Sequence, residues 1–176
     1  MTSFTLAAWP SRGAEFSACL RWRYLLWRER RSFLPSRGAV SFVLLNPSTA
    51  DAREDDPTVR RCLAFALAWG FSRVDVVNLF GFRSTDPLAL ESVADPIGRG
   101  NDATIAESAA RASLVVAGWG SFGMSSARAA DVIKGPLKGV RLHALRSNAD
   151  GSPGHPLYVP ASAVPFPWDP PIGQIE

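Results

Sequence analysis

The apolar run Val40 to Leu45 stops abruptly at Asn46. From there to Asp56 the chain holds turn formers, two hydroxyl residues and four carboxylates, with no large apolar side chain, and a helical pattern starts at Pro57. A buried strand that hands a polar loop to a helix N-terminus is the unit from which α/β proteins build ligand sites. The loop is longer and more polar than a simple strand-to-helix connection needs. The segment therefore constrains fold and function together: a parallel α/β sheet, with something bound or transformed at this loop.

The rest of the chain repeats that unit. Asp56 suits the cap of a helix whose first residue is Pro57, where the missing N–H costs nothing. Val59, Cys62, Leu63, Ala66 and Trp69 follow at helical spacing, and Gly70 ends the run. Arg73 to Asn78 reads as a second buried strand and Pro87 to Val93 as a short helix. A longer helix, capped by Asn101 or Asp102, reaches about Ala112. Ser113 to Gly118 forms a third strand, Ser125 to Lys134 a helix and Val140 to Leu145 a fourth strand. Ahead of these, the mixed alternation from Phe16 to Trp27 predicts a strand at an antiparallel edge, and Arg28 to Gly38 a turn. The expected architecture is a three-layer α/β/α domain with a central, mainly parallel four-stranded sheet plus an N-terminal antiparallel edge strand. It spans 1–176 as one domain, with irregular tails at 1–12 and 161–176.

Composition narrows the class. A hydrophobic content of 47% with 20% charged residues is that of a globular chain. No apolar run approaches a membrane span and no signal-peptide layout opens the chain, so the expected location is the cytoplasm, with no membrane contact and no protein partner inferred. Cys19 and Cys62 lack metal-site spacing and, among apolar neighbours, read as small core residues. All 19 basic residues except Lys134 and Lys138 are arginine. Arginine suits phosphates and aromatic faces, and a GC-rich genome produces the same bias. Arg21, Arg23, Arg28, Arg30 and Arg31 interleave with Trp22, Tyr24 and Trp27. Nucleic acid binding fits that pattern, and an edge hairpin with one packed face fits it more simply.

Ligands of such sheets bind beyond the carboxyl ends of the strands. The four predicted strands lead into Asn46 to Asp56, Asn78 to Asp86, Gly118 to Gly123 and Arg146 to Pro156. Every unusual polar or aromatic cluster thus falls at one end of the sheet. Asn78 has the donor and acceptor needed to read a heterocycle edge, or equally to tie down loop backbone. Phe80, Phe82, Trp119 and Phe122 can stack on a ring, or fill the core. Arg83 can hold a phosphate. Gly118, Gly120 and Gly123 permit close backbone approach. His155 can donate to a developing oxyanion or act as an acid/base. In the acidic run, solvation or capping is the simpler role for any one member.

These motifs together resemble a bacterial family catalogued as domain of unknown function 1643. They are Leu45-Asn46-Pro47-Ser48-Thr49-Ala50-Asp51, Asp55-Asp56-Pro57-Thr58-Val59-Arg60-Arg61-Cys62, Val76-Val77-Asn78-Leu79-Phe80, Thr85-Asp86-Pro87, Asn101-Asp102, Trp119-Gly120 and His155-Pro156-Leu157-Tyr158. Their order is more distantly similar to the uracil-DNA glycosylase superfamily. There a strand runs into an Asp-Pro or Asn-Pro loop that positions water, matched by Asn46-Pro47. A second strand ends in a base-reading Asn, matched by Asn78, and a third leads to Trp-Gly-Ser, matched by Trp119-Gly120-Ser121. A late His-Pro loop, matched by His155-Pro156-Leu157, stabilises the departing base.

That resemblance implies recognition of a nucleobase, nucleotide or single-stranded nucleic acid, with hydrolysis of an N-glycosidic bond. Asn46, Asp51 and His155 are the expected catalytic residues. Pro47, Ser48, Thr49, Asn78, Phe80, Arg83, Trp119, Gly120, Ser121 and Pro156 are the expected substrate contacts. No cofactor is implied, although the acidic loop offers Glu54 and Asp55 to a divalent metal. The carboxylates of that loop repel a DNA backbone at close range, which favours a nucleotide or nucleoside over genomic DNA. Two other readings stay open: a non-catalytic nucleotide or nucleic-acid binding module, and a metal-dependent phosphohydrolase.

Overall fold

A computed structural model describes residues 8–31 and 35–171. The strands are β1 (Ser11–Phe16), β2 (Arg23–Glu29), β3 (Ala39–Leu44), β4 (Arg73–Asn78), β5 (Leu114–Ala117), β6 (Leu142–Ala144) and β7 (Phe166–Pro167). The helices are α1 (Pro57–Ala68), α2 (Asn101–Arg111), α3 (Gly120–Met124) and α4 (Ala127–Lys134), with 3-10 turns at Pro87–Ser92 and Pro156–Tyr158.

The strands make one sheet in the order β1-β2-β4-β3-β5-β6-β7. Its middle, β4-β3-β5-β6, is parallel, in register from Val40 opposite Val74 and Leu114. Strand β3 is buried along its whole length, which explains its nearly unbroken apolar sequence. Successive side chains on a strand point to opposite faces, and the core divides accordingly. Val40, Phe42, Leu44, Val74, Val76 and Val116 pack with Val59, Cys62, Leu63, Phe65 and Ala66 of α1. Val43, Val77, Val115 and Ala117 pack with Ile105 and Ala109 of α2 and with Ala129 and Val132 of α4. Helices therefore cover both faces. From β3 the chain moves to β4 on one side and then crosses to β5 on the other, so loops diverge at the carboxyl end of β3 and leave a crevice there.

The parallel core and its four strands match the expectation; the edges do not. Phe16 to Trp27 is not one strand. The chain turns at Ser17–Arg21, where the Ser17 hydroxyl accepts from the Trp22 amide at 3.2 Å and Leu20 adopts a positive φ of 61°. The edge is consequently a hairpin: β1 pairs with β2, and β2 pairs antiparallel with β4. The first tail is also shorter than expected. Trp9 is buried in the core and Ser11 already lies in β1, while residues 1–7 fall outside the described residues. At the other end Phe166–Pro167 pairs with β6, and Trp168 is buried with its indole N–H donating to Gly151 O at 3.1 Å. Residues 172–176 of that expected tail are again outside the described ones. Among the described residues no helix is long and apolar enough to cross a membrane.

Candidate functional site

The carboxyl ends of the parallel strands surround a cavity of about 360 Å³, lined by all four expected loops. Asn46 and Ser48 come from the first loop, Asn78, Ser84 and Thr85 from the second, Trp119, Gly120, Ser121 and Phe122 from the third, and His155 from the fourth. Four contributions from sequence reasoning are therefore joined in one concavity, within the size range of small-molecule sites.

The first loop owes its shape to two arginines of β2. Arg28 is fully buried and donates through Nε and Nη2 to Asp55 Oδ1 at 2.9 and 2.6 Å; Nη2 also reaches Asp51 O at 2.7 Å. Arg23 donates from Nη1 to Ala50 O at 2.7 Å. Neither is a solvated hairpin charge: both clamp loop backbone. Asp51 Oδ1 accepts from the amides of Arg53 and Glu54 at 2.7 and 2.9 Å, which holds its carboxyl below the usual range. Glu54 is exposed. Asp51, Glu54 and Asp55 therefore do not line the cavity, and Asp51 is corrected from a catalytic candidate to a turn-holding residue. Among the described residues no group of three or more His, Cys, Asp or Glu gathers as metal ligands; of the two weak metal candidates, Asp55 is paired with Arg28 and Glu54 is exposed.

The carboxylate that does line the cavity is Asp56. Its Oδ1 caps α1 by accepting from Val59 N at 2.8 Å, as the Asp-Pro sequence predicts. Asn46 is fixed by its Nδ2, which donates to Ser84 O at 2.8 Å and Pro47 O at 3.2 Å. Pro47 itself is buried and Thr49 is exposed; neither lines the cavity.

The base of the second loop is held from behind. Asn101 donates through Nδ2 to both Asn78 O and Leu79 O at 3.0 Å, and buried Arg128 donates from Nε to Leu79 O at 2.8 Å while pairing with Asp102. Asn101 is thus not a helix cap, contrary to expectation, but a brace for the strand end that presents Asn78. Phe80 belongs to the core beneath, and the cavity rings from the expected aromatic set are Trp119 and Phe122 of the third loop. Arg83 faces a separate, smaller depression, with its guanidinium 5.1 Å from the Phe16 ring centre.

Close packing joins the third and fourth loops. A Cβ on Gly118 would lie 2.8 Å from Pro156 Cδ, so glycine there serves contact between loops and not ligand approach. Pro156 is buried by that contact and does not line the cavity. Gly120 has φ of 72°, with its amide donating to Pro153 O at 3.0 Å. Ser121 and Ser152 share a hydroxyl bond of 3.1 Å. His155 Nδ1 accepts from Leu157 N at 3.3 Å, which places the ring proton of the neutral imidazole on Nε2. Burial lowers the pKa of His155 from 6.5, partly offset by Asp56, and so favours that neutral form.

Three polar atoms of cavity-lining residues are buried without a protein partner: Arg23 Nε, Asn78 Oδ1 and Trp119 Nε1. Buried polar groups are nearly always satisfied, so these three atoms are open to a partner from the cavity side. Trp119 also stacks edge-on with Trp168 at 5.5 Å, so it serves core and cavity alike. Arg23, Thr58 and Tyr158 line the cavity from outside the four expected loops, and Asp56, Ser84 and Thr85 line it from within them without having been singled out. The Asp-Pro cap could have flagged Asp56; nothing local in the sequence separates Arg23 from its neighbouring arginines.

No curated protein matches this chain, and no solved structure does. The family model described as "Protein of unknown function (DUF1643)" matches residues 23–157, which run from Arg23 on β2 to Leu157 at the cavity mouth. The chain belongs to that family.

Proposed function

We propose that the cavity recognises a nucleobase-containing small molecule and hydrolyses its N-glycosidic bond. The observation that carries this reading is the unpartnered amide oxygen of buried Asn78, in a cavity shared with Trp119, Asn46, Asp56 and His155. An amide edge beside aromatic rings suits a planar heterocycle. The likeness to the uracil-DNA glycosylase superfamily rests on the sequence motifs and supports the same assignment.

In this reading the C–N bond breaks with its electron pair passing to the base, and a water oxygen bonds to the sugar carbon. Asn46 Oδ1 orients that water, since its Nδ2 is committed to Ser84 and Pro47. Asp56 receives the water proton and faces the sugar cation through the oxygen not used as a cap. The Nε2–H of His155 donates to the base oxygen as negative charge develops there. Fixed donors aimed at developing charge supply much of the barrier reduction in such reactions.

A non-catalytic binding module remains the second reading, because the Asp56 carboxylate already has a structural task as a helix cap. Base release from a panel of nucleosides, nucleotides and single-stranded oligonucleotides decides between them. Asp56→Asn is the informative variant, since Asn caps a helix as well as Asp does. It should fold normally and lose base release by about 10²-fold or more, the usual scale for a general base. Ligand binding with no release by the native chain would establish the module instead.

A further inference from the structure

We infer that the ligand of this cavity carries an anionic group, of the phosphate or carboxylate class, and that Arg23 is the residue that holds it. This rests on the nucleobase reading for the identity of the rest of the ligand, but the anion requirement follows from Arg23 itself.

Two arginines of β2 have the same local setting and different partners. Arg28 and Arg23 are both buried, at 0% and 2% exposure, and each ties down one carbonyl of the first loop. Arg28 has Asp55 as its counter-ion and also donates to Trp27 O and Gly13 O. Arg23 has no carboxylate oxygen within 4.0 Å among the described residues. Its one side-chain hydrogen bond is to Ala50 O, and its Nε is buried with no acceptor. Burial lowers its pKa to about 10, with Asp56 raising it and Arg83 and Arg28 lowering it, so it is a cation at neutral pH.

A buried, under-paired charge is costly unless something compensates it. Arg28 has a counter-ion in direct contact; Arg23 has Asp56 and Asp51 only at longer range, so direct pairing of its guanidinium is left to whatever enters the cavity it lines. Guanidinium is the side chain best shaped for phosphate or carboxylate. Asp56, on the same cavity, accepts rather than repels the neutral hydroxyls of a sugar, so a phosphorylated nucleoside satisfies both residues at once. Neutral nucleosides leave Arg23 unpaired.

Isothermal titration of the full chain with paired ligands tests this: nucleosides, their 5′-monophosphates and inorganic phosphate, in native protein and in Arg23→Gln and Arg23→Lys variants checked for folding by circular dichroism. The monophosphate of the preferred base should bind at least about tenfold more tightly than its nucleoside, the scale of a charge-assisted hydrogen bond. Arg23→Gln should abolish that preference, and Arg23→Lys should keep part of it. Equal affinity for nucleoside and monophosphate, an unchanged preference in Arg23→Gln, or no binding by any ligand overturns the inference. Arg23-dependent binding of phosphate with no dependence on the base would uphold it while sinking the nucleobase reading.

Discussion

Replacing Asp55 with alanine leaves the Arg28 guanidinium buried without its counter-ion. Arg28 is 0% exposed and Asp55 5%, and two of its nitrogens share Asp55 Oδ1. Breaking a buried pair by removing one partner costs about 3–5 kcal/mol. The lower end applies here, because carbonyls of Asp51, Trp27 and Gly13 still accept from the stranded cation. About 3 kcal/mol corresponds to a drop in Tm of roughly 6–12 °C for a chain of this size. Asp55→Asn keeps an acceptor and should cost about half as much. Urea unfolding followed by tryptophan fluorescence measures both, and a double-mutant cycle with Arg28→Met should return a coupling of about 2 kcal/mol. A loss under about 1 kcal/mol in Asp55→Ala, or a coupling near zero, would refute the clamp and return the acidic run to a solvated surface feature.

Three other outcomes follow from the same geometry. Burial opposes protonation of His155, partly offset by Asp56, so its folded pKa lies below its unfolded value of 6.5. The unfolded chain then binds the proton first, and stability should fall as pH drops below about 6.5 until the depressed folded pKa is reached; His155→Gln should remove that part of the slope in urea titrations at paired pH values. Asn101→Ala strips a donor from the buried carbonyls of Asn78 and Leu79, at a cost of about 1–3 kcal/mol in urea unfolding, and should weaken binding of any ligand read by Asn78. Cys19 is exposed, with its thiol pKa lowered by the Ser17 hydroxyl, whereas burial raises that of Cys62. A thiol reagent should therefore label Cys19 in the native protein and Cys62 only after unfolding, a correction to the expectation that both are core residues.

Period and punctuation in the sequence were enough to determine the parallel strands, helix α1 with its Asp56-Pro57 start, and the meeting of four loops at one rim. Those features depend on local alternation, on capping chemistry and on the rule that parallel strands end on the same side. The direction taken by each loop side chain was not legible. Asp55 is turned inward by an arginine 27 residues earlier, and Asn46 is anchored by a carbonyl 38 residues later. Such partners are recorded nowhere in the local pattern, so only the tertiary structure could decide that Asp56 faces the cavity while Asp51, Glu54 and Asp55 do not. It decided likewise that Trp119 and Phe122 line the cavity while Phe80 packs in the core, and that Arg23 stands there in place of Arg83. A residue type shows what chemistry is available, but whether a charge is spent inside the fold or kept for a ligand depends on which distant groups the sheet brings within reach.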